Sequence, residues 1–234
     1  MKDYRKDLIN VARSLERIPT RNGGRQILVI GATGEDDASS VAASLSILMA
    51  GRSSRATWLV DLDLIGNQQY YAFHNNEFRR TGRPGRAYDG SLNVKPFYQI
   101  VPQLKTRDGE RKAQPKFLAV HQIESSRLMV TRFRSELLRK GQKVQITSQP
   151  AFWQKLRSVS DWSVIDAPPL DFSRAALAVC RHVDGVICVV TADKTSVDQI
   201  TGLRSEIESQ GGHCLGVVVN GVKGDARFAD RIAL

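Results

Sequence analysis

Residues 31–46, GATGEDDASSVAASLS, decide the fold, because they join a short apolar run to a stretch of small residues. The apolar run, QILVIG at 26–31, predicts a buried strand, and SSVAASLSILMAG at 39–51 predicts a helix that ends at Gly51. ATWLVDLDL at 56–64 predicts the next strand. Strand, loop, helix and strand make one βαβ unit with parallel strands. Its loop lies at a helix N-terminus, where backbone N–H groups attract anions.

The last third of the chain repeats this alternation of strands and helices. Apolar runs predict three further strands, at 162–169, 184–192 and 214–222. Helices are predicted at 173–183 and at 195–212, the second with Thr195 as its N-cap and Gly211 beyond its end. Near-continuous Val, Ile and Leu indicate strands that are buried on both faces. We therefore predict an α/β fold, a doubly wound and mostly parallel sheet flanked by helices.

The middle of the chain has a less regular pattern. Gly- and Arg-rich residues predict an exposed loop at 79–91, and a basic helix is predicted at 125–141. Short apolar runs predict strands at 97–101, 117–123 and 143–147.

These patterns predict a single α/β domain at 25–223 that contains a basic, less regular segment at 76–142. An N-terminal helix and linker at 1–24 precede the domain, and a C-terminal tail at 224–234 follows it. Apolar residues at helical spacing identify the N-terminal helix: Leu8, Val11, Ala12 and Leu15.

The composition excludes several classes of protein. The chain has 234 residues, of which 41% are hydrophobic and 25% charged, enough for one globular domain with a substantial core. No apolar run approaches the roughly 20 residues that span a bilayer, and the first residues lack the apolar core of a signal peptide, so we expect a cytoplasmic protein. Cys180, Cys188 and Cys214 are isolated in apolar stretches, which predicts reduced, buried thiols and no Cys/His metal site.

Positive charge is concentrated in the middle of the chain. The net charge is +10, and residues 79–143 contain 16 Lys and Arg against 5 Asp and Glu. The remaining residues contain 18 against 19. Such a surface attracts nucleic acid, an anionic membrane or an acidic partner, and the alternative is a solvated face with no partner.

The loop after the first strand resembles a phosphate loop in which negative charges replace the positive charge. Such a loop offers backbone N–H groups, a lysine and a Ser or Thr hydroxyl to phosphate and Mg²⁺, so its candidate nucleotide-binding residues here are Gly34, Ser39 and Ser40. Ala38 stands where the lysine belongs, after three consecutive carboxylates at 35–37. Two like charges about 4 Å apart repel by roughly 4 kcal/mol near a protein surface. We therefore expect the protein to have no cofactor. ATP and Mg²⁺ would be its cofactors only if this loop still binds a nucleotide.

Three aspartates follow two of the predicted strands. Asp61 and Asp63 end the second strand, and Asp166 ends the strand SVIDAPP. The carboxyl ends of parallel strands line the ligand crevice, where aspartates hold Mg²⁺ in working NTPases. Ser39, Asp61 and Asp166 are therefore the candidate Mg²⁺ ligands, and the three aspartates are the candidate catalytic residues if the protein is an enzyme. The alternative is that they are structural residues at strand ends.

These motifs together resemble those of the cytoplasmic bacterial tyrosine kinase (BY-kinase) domains of polysaccharide co-polymerases, within the MinD/ParA group of P-loop NTPases. Residues 31–40 match the family motif SATPGEGKST, with Ala38 on the lysine and Asp37 on the preceding glycine. LVDLDL and SVIDAPP match IDADL and VIIDTPP, and VDGVICVVTADKTS matches VDGVLLVVRAGKTS. CLGVVVNGV matches VLGVVLNRV, which implies that Asn220 lies near the nucleotide base.

The resemblance and its departures imply a catalytically inactive protein. The lysine is missing, and the tail KGDARFADRIAL lacks the tyrosine cluster that these kinases autophosphorylate. What remains is a regulatory or scaffolding subunit of exopolysaccharide, capsule or holdfast synthesis. Its partner would be a membrane polysaccharide co-polymerase (Wzz-type) or another assembly protein, which would place it peripherally at the inner membrane. The resemblance also allows a homo-oligomer. Four arginines are the candidate docking residues: Arg79, Arg80, Arg83 and Arg86.

Three alternatives remain open from the sequence. One is a MinD/ParA-like positioning ATPase that binds membrane or DNA through the basic segment. A second is a protein like the pilus-localisation ATPases, some of which also have a degraded loop. The third is an enzyme that uses the three aspartates for other metal-dependent chemistry.

Overall fold

The computed structural model describes residues 1–20, 23–103 and 116–222. Its strands are β1 Arg25–Gly31, β2 Ala56–Asp61, β3 Pro84–Asp89, β4 Tyr98–Val101, β5 Leu118–Ile123, β6 Leu128–Phe133, β7 Lys143–Ile146, β8 Ser160–Ala167, β9 Gly185–Thr191 and β10 Cys214–Asn220. Its α-helices are α1 Ile9–Leu15, α2 Ala38–Ala50, α3 Gln68–His74, α4 Pro150–Val159, α5 Ala175–Val179 and α6 Val197–Ser209. Two short 3-10 helices lie at Ser135–Leu137 and Cys180–His182.

An eight-stranded sheet carries the fold, in the order β10-β9-β1-β8-β2-β6-β5-β3. Every pair from β10 to β6 is parallel, and only β5 and β3 join antiparallel. The central strands β1 and β9 are buried on both faces, as their continuous apolar sequences require. The predicted doubly wound, mostly parallel sheet flanked by helices is confirmed.

Two apolar layers cover the sheet. On one face α1, α2 and α3 pack with residues such as Leu45, Met49 and Phe73. On the other face α4, α5 and α6 pack together with β4 and β7, which form a separate two-stranded antiparallel sheet. The predicted apolar positions of the N-terminal helix are all buried in the first layer: Leu8, Val11, Ala12 and Leu15. This helix packs on α2, the helix that follows the loop of interest.

The middle of the chain contains more strand than its sequence predicts. The helix predicted at 125–141 is wrong, because Leu128–Phe133 forms β6 and only Ser135–Leu137 turns into a 3-10 helix. Pairing of β6 with β2 and β5 outweighs the helical spacing of the apolar residues in this segment. The predicted loop at 79–91 also contains a strand, β3, whose side chains are mostly exposed. The predicted short strands are confirmed as β4, β5 and β7.

Parts of two predicted segments lie outside the described residues. These are positions 104–115 of the basic segment and the predicted tail at 224–234. Within the part of the chain that the structure describes, no helix is both long and apolar enough to cross a membrane.

The N-cap of α6 lies one residue later than predicted. Ser196, not Thr195, caps the helix: its hydroxyl accepts from the Gln199 N–H at 3.2 Å, and the Gln199 side chain accepts from the Ser196 N–H at 2.8 Å. This reciprocal capping box satisfies two backbone donors. The Thr195 hydroxyl is therefore free to contact another part of the protein, the loop after β1.

Candidate functional site

The loop after β1 opens on a cleft of about 930 Å³ at the carboxyl ends of the parallel strands. The other walls come from the residues that follow β2 and β8 and from β7. Gly34 lies at the mouth, where the ring of Phe172 passes so close that a Cβ on Gly34 would approach it to 3.1 Å. Gly34, Ser39 and Ser40 all line this cleft, as the sequence predicts for residues of a nucleotide site.

Asp36 closes the loop onto itself. Its buried carboxylate accepts hydrogen bonds from the Thr33 N–H at 2.6 Å, from the Thr33 hydroxyl at 3.1 Å and from the Thr195 hydroxyl at 2.6 Å. Burial alone would raise the pKa of Asp36, but the hydrogen bonds from Thr195 and Thr33 outweigh it and lower that pKa. A backbone donor of the kind that a phosphate loop offers to its ligand is thus used by the loop's own anion.

Asp37 keeps the backbone shape that the motif needs. Its φ is +62°, in the left-handed region that favours glycine and that Asp tolerates better than most residues. Asp37 occupies the position of the motif glycine, so the substitution preserves the turn into α2 while adding a carboxylate. That carboxylate accepts from the Ser40 hydroxyl at 2.6 Å and the Tyr4 hydroxyl at 2.7 Å, and it pairs with Lys2 at 3.3 Å.

Each of the three loop carboxylates therefore has a partner. Glu35 pairs with Lys194 at 3.0 Å, Asp37 with Lys2, and Asp36 is fully hydrogen-bonded. The repulsion expected from three free carboxylates is for this reason an overestimate. The obstacle to phosphate is instead that the Thr33 N–H, Lys2 and Lys194 already pair with carboxylates of the loop.

Two predicted nucleotide-binding residues make internal contacts. The Ser40 hydroxyl accepts from the Lys2 N–H at 3.0 Å while it donates to Asp37. The Asn220 amide donates to the Asp36 carbonyl at 2.7 Å, so Asn220 ties β10 to the loop, and it is absent from the cleft lining within the described residues.

Asp61 and Asp166 form the floor of the cleft. They are register partners on the neighbouring strands β2 and β8, and each is only 3% exposed. Burial raises the pKa of Asp61 well above its ordinary value, and the nearby Asp166 raises it further. Burial likewise raises the pKa of Asp166 to about 6, against an opposing hydrogen bond from Gln69. Both carboxyl groups therefore take up a proton at a higher pH than an exposed aspartate does.

Gln69 at the start of α3 organises these two acids, and the sequence did not single it out. Its N–H donates to Asp61 Oδ2 at 3.0 Å, and its Nε2 donates to Asp166 Oδ2 at 2.6 Å. Gln69 and Asp166 each keep one buried oxygen without a hydrogen bond within the described part of the chain, Gln69 Oε1 and Asp166 Oδ1.

The candidate ligands of Mg²⁺-ATP take part in internal contacts. Both oxygens of Asp61 already accept backbone hydrogen bonds, from Asp63 and Gln69. Ser39 lies close enough to lower the pKa of Asp166, and both residues line the cleft together with Asp61. Arg174 is the one cationic side chain lining the cleft among the described residues, and it pairs with Glu206 at 2.9 Å.

Comparison with known proteins places the fold. No protein-family model matches the chain, and no curated protein matches it. The structure resembles the VpsO kinase domain at 19% identity and a TM-score of 0.60, over 94% of this chain and 95% of that one. The fold is that of a BY-kinase domain. The kinase domain of the Escherichia coli tyrosine kinase ETK superposes with 18% identity and a TM-score of 0.56, over 93% and 75% of the two chains. The chimerical protein CapA2B2 superposes with 20% identity and a TM-score of 0.57, over 92% of this chain and 82% of that one.

The four predicted docking arginines lie at the edge of this BY-kinase fold. Arg79, Arg80, Arg83 and Arg86 are exposed, and within the described residues none of them forms an ion pair. Arg86 lies on β3, the outermost strand of the large sheet, and the others immediately precede that strand. This basic edge is separate from the acidic cleft.

We expect Asp166→Asn to stabilise the protein most at neutral pH. A carboxyl whose pKa is raised by folding contributes fully below its unfolded value of 3.8, and that contribution is lost as the pH rises through about 6. As the pH rises through these values, the free energy of unfolding of the wild type should therefore fall by on the order of 2 kcal/mol. The Asp166→Asn variant should not show this fall, because its amide does not titrate. Urea unfolding at about pH 4.5 and about pH 7.5 measures the difference. Asp198→Asn, exposed on α6, is the control, and an equal gain for Asp166→Asn at both pH values would contradict the assignment.

We expect Tyr4→Phe to loosen the loop. The substitution removes the hydroxyl that donates to Asp37, which should lower the free energy of unfolding by about 1 kcal/mol. Chemical denaturation measures this loss, and hydrogen exchange at 33–40 should quicken. Tyr71→Phe is the matched control, since that tyrosine is 45% exposed and its hydroxyl makes no hydrogen bond within the described part of the chain. Equal effects of the two substitutions would show that the contact with Asp37 contributes nothing.

Proposed function

We propose that this protein is a catalytically inactive member of the P-loop kinase and ATPase fold, acting as a regulatory or scaffolding subunit in bacterial exopolysaccharide synthesis. The single observation that carries the proposal is the Asp36 carboxylate, which accepts the Thr33 N–H inside the loop. An ATP phosphate would have to displace a bound anion that is covalently part of the loop. Displacement leaves a buried carboxylate without its hydrogen bonds, and that is costly.

The charges around the cleft support the same conclusion. Phosphoryl transfer depends on cations that stabilise the phosphate oxygens. Ala38 supplies none, and Lys2 and Lys194 already pair with Asp37 and Glu35. The floor adds further acidic groups, so the cleft has the electrostatic character opposite to that of a polyphosphate site.

The exopolysaccharide role rests on the sequence motifs, and the partner would be a membrane polysaccharide co-polymerase of the Wzz type. Its docking surface would be the basic edge formed by Arg79, Arg80, Arg83 and Arg86. These side chains are exposed and free of ion pairs within the described residues, so they keep their charge for an acidic partner. Docking would place the protein peripherally at the inner membrane.

Isothermal titration with ATP and Mg²⁺ tests the inactive state directly. We expect no binding heat up to about 1 mM ATP, a limit that corresponds to roughly 4 kcal/mol of binding free energy. The kinase domain of ETK serves as the positive control in the same buffer. Micromolar binding accompanied by phosphate release would overturn the proposal.

Replacing the four arginines by Ala tests the docking surface. We expect capture by the immobilised cytoplasmic segments of the co-polymerase to weaken at least about tenfold, because charge-assisted contacts are lost. The melting temperature should stay unchanged, since none of these side chains is buried. Arg52→Ala, which removes an exposed pair with Glu16, is the charge control. Retained capture, or loss of the fold, would refute the assignment of this edge.

The same basic edge favours one second candidate, a MinD/ParA-like protein that binds membrane or DNA. Phosphate contacts of that kind weaken steeply with salt. Sedimentation with anionic liposomes and gel shifts with duplex DNA, each across a salt series, distinguish this function from protein docking. A role like that of the pilus-localisation ATPases would appear as binding to other proteins without binding to the co-polymerase.

A further inference from the structure

The cleft that would hold a nucleotide has an exposed apolar rim. Phe172, on the loop after β8, is 78% exposed, and Ile65, on the loop after β2, is 57% exposed. Ile146 of β7 lines the same cleft from a third side. Large apolar side chains that gather around one opening indicate a surface that another molecule covers.

The floor below this rim is acidic and incompletely satisfied. Asp61 and Asp63 line it, and Asp63 Oδ1 accepts the Gly66 N–H at 2.9 Å. An independent feature is Asp166, which lines the same floor, is 3% exposed and keeps one oxygen without a hydrogen bond within the described ranges. A buried oxygen of this kind is satisfied by a donor that enters from the cleft.

We infer that this cleft binds a segment of a partner polypeptide in which a Lys or Arg side chain lies between apolar residues. The inference rests on the proposed function, because it assigns to the scaffold a peptide site where a kinase would have its nucleotide site. The cationic group would reach the acids of the floor, and the flanking apolar side chains would cover Phe172 and Ile65. Arginine matches best, since its fork offers several donors to separate carboxylates.

Other occupants match this surface less well. A nucleotide or an acidic peptide would bring negative charge against Asp37, Asp61 and Asp63, with only Arg174 among the described cleft side chains to offset it. A purely apolar segment would cover the rim but leave Asp166 Oδ1 without a donor. A basic residue with apolar neighbours satisfies both parts of the cleft at once.

A phage-displayed library of random dodecapeptides, panned on the wild-type protein, tests the inference. The library is first depleted on the double variant Asp63→Asn/Phe172→Ala. This variant should fold, because Asn retains the acceptor for the Gly66 N–H and Phe172 is mostly exposed. The control is Asp198→Asn/Tyr88→Ala, which removes one exposed carboxylate and one exposed aromatic ring elsewhere. Enriched peptides are then synthesised with a fluorophore and titrated by anisotropy.

The expected result is enrichment of peptides that carry Lys or Arg flanked by apolar residues. Their affinity should fall at least about tenfold on the double variant and stay unchanged on the control. No enrichment, enrichment without basic residues, or equal binding to the double variant would overturn the inference. The ATP titration separates the two proposals. If no peptide binds and ATP does not bind either, the peptide site is refuted and the proposal of an inactive scaffold is unaffected. If ATP binds and displaces the peptide, the inactive scaffold is refuted and the peptide site is retained.

Discussion

The hydrogen bonds of the Asp36 carboxylate are the interaction on which the site depends. They join the loop after β1 to Thr195, at the start of the helix that follows β9, while Asn220 of β10 holds the Asp36 carbonyl. The loop is thereby fixed to the segment after β9 and to β10 without any ligand. In a nucleotide site the bound phosphate accepts hydrogen bonds from the N–H groups of such a loop. Here a carboxylate of the loop itself accepts a hydrogen bond of that kind.

The sheet could be predicted because its signal is local. β1, β8 and β9 are buried on both faces, and a strand in that position reads as one unbroken apolar run. β6 could not be predicted in the same way. Met129, Val130 and Phe133 also fit a helical spacing, and the choice is made by pairing with β2, about 70 residues earlier in the chain. The edge strand β3 carries mostly exposed residues, so it has no apolar pattern to detect.

The site could be predicted only where motifs mark it. Asp61, Asp166 and Ser39 follow strands or begin a helix, and the structure brings all three to one cleft. Lys2, Tyr4 and Lys194 were missed because they approach the loop from distant parts of the chain and share no pattern with it. Gln69 was missed for a different reason: a glutamine near a helix start has no sequence signature, and only its geometry shows that it bridges two buried acids.

The way in which the loop carboxylates are paired has a consequence for any redesign of this loop. Ala38→Lys by itself would add a cation to a loop in which Asp36 accepts the Thr33 N–H and Asp37 occupies the glycine position of the motif. Restoring the glycine alone would in turn leave Lys2 and Tyr4 without their partner. A cation and a glycine would therefore have to be introduced together with new partners for Lys2 and Tyr4, so the loop can be redesigned only as one connected unit.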